Sequence, residues 1–181
     1  MPSTYIALLC GINVGRAKRV AMADLRTLVE GLGFNSVRTL LNSGNIVFTG
    51  PKATPAGIAA RIEKAMVVKL GFSARVIVLT AKELAAALAK NPLSKVADNP
   101  SRLLIALLGE AADRRKLMPL AKQDWGKEVL AVGKQVAYLW CADGINTSKL
   151  FESIQRTLAN EVTTRNATTM QKLLALAEQS E

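Results

Sequence analysis

The apolar residues of this chain change their spacing in a fixed order, and that order occurs twice. Thr4 to Leu9 is a short apolar run with Tyr5 and Ile6, which predicts a strand. Met22, Leu25, Leu28, Val29 and Leu32 then recur at the helical period. Gly31 and Gly33 are placed to end that helix, because glycine tolerates the left-handed cap conformation. Ser36 to Leu41 and Asn45 to Thr49 predict two strands, joined into a hairpin by the turn sequence Asn42-Ser43-Gly44. Thr54-Pro55 starts the next helix, with Thr as N-cap and Pro at the first helical position. Its stripe runs Ile58, Ile62, Ala65, Met66, Leu70, and Gly71 closes it. The β-branched run Arg75 to Leu79 completes the order β-α-β-β-α-β, and an Ala-rich helix, Thr80 to Lys90, trails it with a Thr80–Glu83 capping box.

Residues 91–101, rich in Pro, Asn and Asp, read as a linker. The order then repeats. Arg102 to Leu108 predicts a strand, Ala111 to Lys122 a helix, and Glu128 to Val132 and Gln135 to Cys141 two strands turning at Gly133-Lys134. Leu150, Phe151, Ile154 and Leu158 mark a helix, Val162 to Arg165 a short strand, and Met170, Leu173, Leu174 and Ala177 a final helix. The repeat is one of pattern, with little residue-by-residue identity. The expected class is α+β, a tandem repeat of two ferredoxin-like β-α-β-β-α-β units with antiparallel sheets backed by helices. Its expected parts are residues 1–90, the linker 91–101, and residues 102–181.

Composition bounds the chemistry. With 181 residues, half of them apolar, the chain can build a core without disulfides or a structural metal. No apolar run approaches the ~20 residues of a membrane helix, and the first ten residues lack a basic n-region. No signal peptide, no membrane partner and a cytoplasmic location are therefore expected. There is no histidine, and the two cysteines, Cys10 and Cys141, form no CxxC pair. That excludes histidine-based acid–base catalysis, Ser–His and Cys–His dyads and the usual zinc sites. Both cysteines read as small apolar residues at strand ends. Neither a metal nor a cofactor can be assigned.

The net charge is +10 and uneven: residues 1–80 hold ten Lys/Arg against three Asp/Glu, residues 81–181 fourteen against eleven. A basic surface attracts nucleic acid or phosphorylated ligands, or only aids solubility. In a β-α-β-β-α-β unit the loop after the first strand and the hairpin between the second and third lie at one end of the sheet. Here these are the loop Gly11 to Arg19 and the turn Asn42 to Asn45. Gly11 and Gly15 let the backbone turn, Asn13 lies between them, and Arg16, Lys18 and Arg19 add positive charge ahead of a helix N-terminus. Asn42, Ser43 and Asn45 stand opposite. This has the physics of a phosphate-binding loop, without the GxxxxGK[ST] spacing of a Walker loop or a dinucleotide fingerprint. A glycine-rich turn with a solvated basic edge is the plainer alternative. In the second half, Asp143 to Lys149 and Thr163 to Asn166 make a similar pair. Lys149 in a first helical turn is unfavourable unless an anion or acid lies nearby, and Arg165 has a similar place. Asn146 or Thr147, and Asn166, are otherwise plain N-caps. Trp140 reads as core, and Arg114-Arg115-Lys116 as a solvated helix face.

Six stretches carry a resemblance: Tyr5 to Gly15, Met22 to Arg26, Leu32-Gly33-Phe34, Leu41 to Phe48, Asp143 to Leu150 and Thr163 to Asn166. Together they make the chain similar to domain-of-unknown-function family 1697 over nearly its whole length. The resemblance implies a duplicated ferredoxin-like architecture and no assigned activity. This chain departs from the family's usual pattern at three places: Cys10 stands for an arginine, Arg16 for a glycine and Ala167 for a tryptophan. Arg16 is thus a candidate replacement for the arginine absent at position 10.

The expected function is binding of a phosphate-bearing ligand, nucleotide or nucleic acid, through these basic strand-to-helix loops. The alternatives are an enzyme acting on a phosphorylated small molecule without histidine chemistry, and an interaction module without a ligand.

Overall fold

In the computed structural model, which describes residues 1–159 and 162–180, the chain divides into two compact units. One comprises Met1–Ala85 with the stretch from Lys172, the other Ala86–Gln171. Both contain a four-stranded antiparallel sheet backed by helices, so the duplicated α+β, ferredoxin-like architecture holds.

The first unit runs β1 (Ser3–Leu9), α1 (Met22–Glu30), β2 (Asn35–Leu40), β3 (Asn45–Gly50), α2 (Pro55–Leu70), β4 (Val76–Thr80) and into α3 (Ala81–Ala89). Its sheet order is β2-β3-β1-β4. The central strand β1 pairs with β3 (Ile6 opposite Val47) and with β4 (Leu9 opposite Val76). Tyr5, Ala7, Leu9, Ile46, Phe48, Val76 and Val78 form one face and pack with Leu25, Leu28 and Val29 of α1 and Ile58, Ile62 and Met66 of α2. Phe34 and Phe48 pack as a tilted pair, ring centres 4.7 Å apart and planes at 54°. Ile6, Leu8 and Val47, on the opposite face, are buried as well, which is why β1 reads as a continuous apolar run rather than an alternation.

The helix boundaries follow local chemistry. Thr54 Oγ1 accepts from Gly57 N–H, and Gly71 closes α2 in the left-handed conformation. Thr80 and Glu83 form the expected box, with Glu83 Oε2 accepting Thr80 N–H at 2.8 Å and Thr80 Oγ1 accepting Glu83 N–H at 3.2 Å. Gly31, expected to be left-handed, is right-handed at φ −63; the reversal comes at Gly33, φ +87.

The second unit contains β5 (Leu103–Leu107), α4 (Ala111–Ala121), β6 (Val129–Val132), β7 (Val136–Trp140), α5 (Lys149–Thr157), β8 (Thr163–Asn166) and the start of α6 (Ala167–Glu178), with sheet order β6-β7-β5-β8. Leu104, Ala106, Leu130, Leu139 and Cys141 pack with Leu117, Leu150 and Ile154. Trp140 is buried, as its strand context required. Tyr138 Oη donates to Ala87 O at 2.7 Å.

Candidate functional site

Because β1 and β2 run parallel with β3 between them, the C-terminal ends of both point the same way. The loop of residues 10–21 and the β2–β3 turn therefore meet, and specific bonds join them. Leu9 N–H donates to Gly44 O at 2.9 Å. Gly44 leaves no room for a side chain: a Cβ there would lie 2.7 Å from Ile12 Cδ1 and 2.8 Å from Leu9 Cβ. On the other side of β1, Cys10 N–H donates to Arg75 O at 2.9 Å.

Asn13 organises the loop. Its N–H donates to Lys18 O at 3.1 Å, and its Nδ2 donates to Val20 O at 3.0 Å and to Asn42 O at 2.7 Å. Its Oδ1 accepts Val20 N–H at 2.9 Å. Both amide hydrogens of Asn13 are thereby spent on the fold, so its side chain positions the site. Gly11, Asn13 and Gly15 have φ of +65, +54 and +63, alternating with residues of negative φ, and Lys18 follows at +49. These positive φ values let the backbone reverse direction sharply within a few residues, and the Asn13 N–H is already engaged by Lys18 O.

Arg16, Lys18 and Arg19 are exposed, and among the described residues their side chains form no ion pair. The loop leads into α1, whose N-cap, Ala21, supplies no side-chain acceptor. The corresponding loop of the second unit is only residues 108–110, and its helix start holds two carboxylates, Glu110 and Asp113, with Glu110 N–H donating to Asp113 Oδ2 at 3.3 Å. One fold position is thus long, basic and uncapped in one unit and short, acidic and capped in the other.

The turn residues differ among themselves. Asn45 is fully buried, its Nδ2 donating to Leu40 O and to Ser43 Oγ, both at 2.9 Å. Asn45 and Ser43 therefore shape the turn, while Asn42 is exposed with its carbonyl engaged by Asn13.

The second predicted pair is occupied from within. The N-cap of α5 is Ser148, not Asn146 or Thr147: its Oγ accepts Phe151 N–H at 2.9 Å, and residues 145–147 form a 3-10 turn before it. Glu128 Oε2 accepts Leu150 N–H at 3.2 Å, so an internal carboxylate stands where Lys149 called for an anion. Thr147 Oγ1 donates to Asp143 O and Gly144 O. Asn166 Oδ1 caps α6 by accepting Thr169 N–H at 2.8 Å, and Arg165 Nη1 donates to Thr164 O. Burial pushes the Cys141 thiol up; the Ser148 hydrogen bond opposes this and the Glu128 charge adds to it. Burial thus disfavours the thiolate, the nucleophilic form of cysteine.

Sequence reading missed Arg75, which only the pairing of β4 with β1 brings to the loop, and Glu128, whose capping of a distant helix has no local signal.

Fold and loop together define a duplicated ferredoxin-like protein with one basic, glycine-turned loop at the end of its first sheet. Residues 2–138 match the family described as Protein of unknown function (DUF1697), and the chain belongs to that family. It is also similar to the conserved bacterial protein SP0830 from Streptococcus pneumoniae, with a TM-score of 0.76 and 25% identity over 98% of this chain and 99% of that one. Among curated proteins, none matches. Among the described residues, no helix is long and apolar enough to cross a membrane.

Proposed function

We propose that this is a cytoplasmic protein that binds a phosphate-bearing ligand, a nucleotide or nucleic acid, at the loop Gly11 to Arg19. The observation that carries the reading is the exposure of Arg16, Lys18 and Arg19 without ion-pair partners among the described residues, on a loop that Asn13 fixes in place. Cations left unpaired on such a loop, just ahead of a helix start, are arranged for an anion. The second pair, around Lys149 and Arg165, is left out of this reading because Glu128, Ser148 and Asn166 already serve its helix starts.

Calorimetric titration with inorganic phosphate and with a nucleotide tests it, on the natural chain and on Arg16→Ala/Lys18→Ala. Exposed charge changes alter stability by less than about 0.5 kcal/mol, so the variant stays folded. It is expected to lose most of the affinity. Equal affinities in both proteins refute the proposal.

A further inference from the structure

We infer that the ligand of this loop is single-stranded nucleic acid, with phosphates on Arg16, Lys18 and Arg19 and bases against Val14 and Leu41. The inference rests on the proposed phosphate-binding role and names its ligand class.

Val14 is 71% exposed and Leu41 57% exposed. A single exposed apolar side chain needs no explanation. These two, however, flank one hydrogen bond: Val14 follows Asn13 and Leu41 precedes Asn42, and Asn13 Nδ2 to Asn42 O is 2.7 Å. Two Cα–Cα steps of 3.8 Å and the amide arm between them place Val14 and Leu41 within about 16 Å of each other. Leu41 is held at φ +59, a conformation leucine rarely adopts, and the turn keeps it outward. Apolar contacts thus straddle the loop–hairpin joint, with three unpaired cations in the same loop as one of them.

A lone phosphate would use the cations and leave both apolar side chains in water. A duplex would offer phosphates but keep its bases stacked inside. A single strand offers both, repeating along its length, and arginine planes add stacking on bases. Two of the three cations are arginines.

Fluorescence anisotropy with a labelled single-stranded oligonucleotide tests the inference, alongside the same sequence as a duplex, a glutamate-rich peptide carrying leucines, and inorganic phosphate as competitor. The variant is Val14→Ser/Leu41→Asn; asparagine suits the left-handed region, and Leu41→Asn alone serves if the pair fails to fold. The expected result is about tenfold weaker oligonucleotide binding, the loss of roughly 55 Å² of apolar contact at about 25 cal/mol per Å², with phosphate competition unchanged. The natural chain should bind with a log–log salt slope of roughly −2, from three contacts at about −0.7 each. Duplex or peptide binding as tight as the single strand, or an oligonucleotide affinity indifferent to Val14 and Leu41, overturns this inference alone. If inorganic phosphate binding is absent, or survives Arg16→Ala/Lys18→Ala, the underlying phosphate reading fails with it.

Discussion

Replacing Asn13 by alanine should cost more than its half-exposed position suggests. The substitution removes three side-chain hydrogen bonds, at 2.7, 2.9 and 3.0 Å. Each contributes about 1 kcal/mol net. The bond to Asn42 is solvent-exposed and water replaces part of it, so the three together come to roughly 2–3 kcal/mol. Alanine must also hold φ near +54, which costs about 1 kcal/mol more than asparagine in the left-handed region. The total, roughly 3–4 kcal/mol, is a large share of the ~5–15 kcal/mol that stabilises a typical domain. Asn13→Gly loses the same hydrogen bonds but tolerates the φ, so it should be about 1 kcal/mol less damaging than Asn13→Ala. Equilibrium urea denaturation followed by circular dichroism measures both. Asn13→Ala within about 0.5 kcal/mol of the natural chain, or Asn13→Gly no better than Asn13→Ala, would refute the reasoning.

Gly44→Ala combines a positive φ with contacts at 2.7 and 2.8 Å, whereas Gly15→Ala meets nothing within 4 Å. By the same denaturation assay Gly44→Ala should lose the ~1–2 kcal/mol of the left-handed strain plus ~1–3 kcal/mol of overpacking, and Gly15→Ala only the former; equal losses count against the close packing. Lys149→Ala/Arg165→Ala should leave phosphate affinity unchanged by calorimetry, since Glu128 already serves that helix start; a marked loss there would reinstate the second pair as a site. Burial raises the Cys141 thiol, so well below the ordinary cysteine value of about 8.5 it is protonated in both states, and as pH rises through that value the unfolded chain releases its proton first. Stability should therefore decline as pH rises past that point, and Cys141→Ala should flatten the decline in urea midpoints; an unchanged slope contradicts the assignment.

The fold was legible because its signals are local. Thr54-Pro55, Thr80 with Glu83 and Asn42-Ser43-Gly44 each name their structure within a few residues, and each stands where expected. The division between site and scaffold was less legible. Asn13 and Asn45 read as candidate ligand groups because asparagine in a loop looks the same whether it faces a ligand or staples the backbone; only their partners, Asn42, Val20 and Leu40, separate the two uses. Lys149 raised the right electrostatic question, but its answer, Glu128, comes from just before β6 and is invisible to local reading. Asn146 and Thr147 are both cap-type residues and compete locally for the start of α5, and only the 3-10 turn at 145–147 moves the cap on to Ser148.

The most direct test of the central claim is a phosphate titration of the ¹⁵N-labelled protein followed by NMR. The account predicts that amide shifts concentrate in Gly11 to Arg19, with smaller changes at Asn42 to Gly44 and none at Asp143 to Lys149. Shifts centred elsewhere, or no saturable shift in the loop, would contradict it.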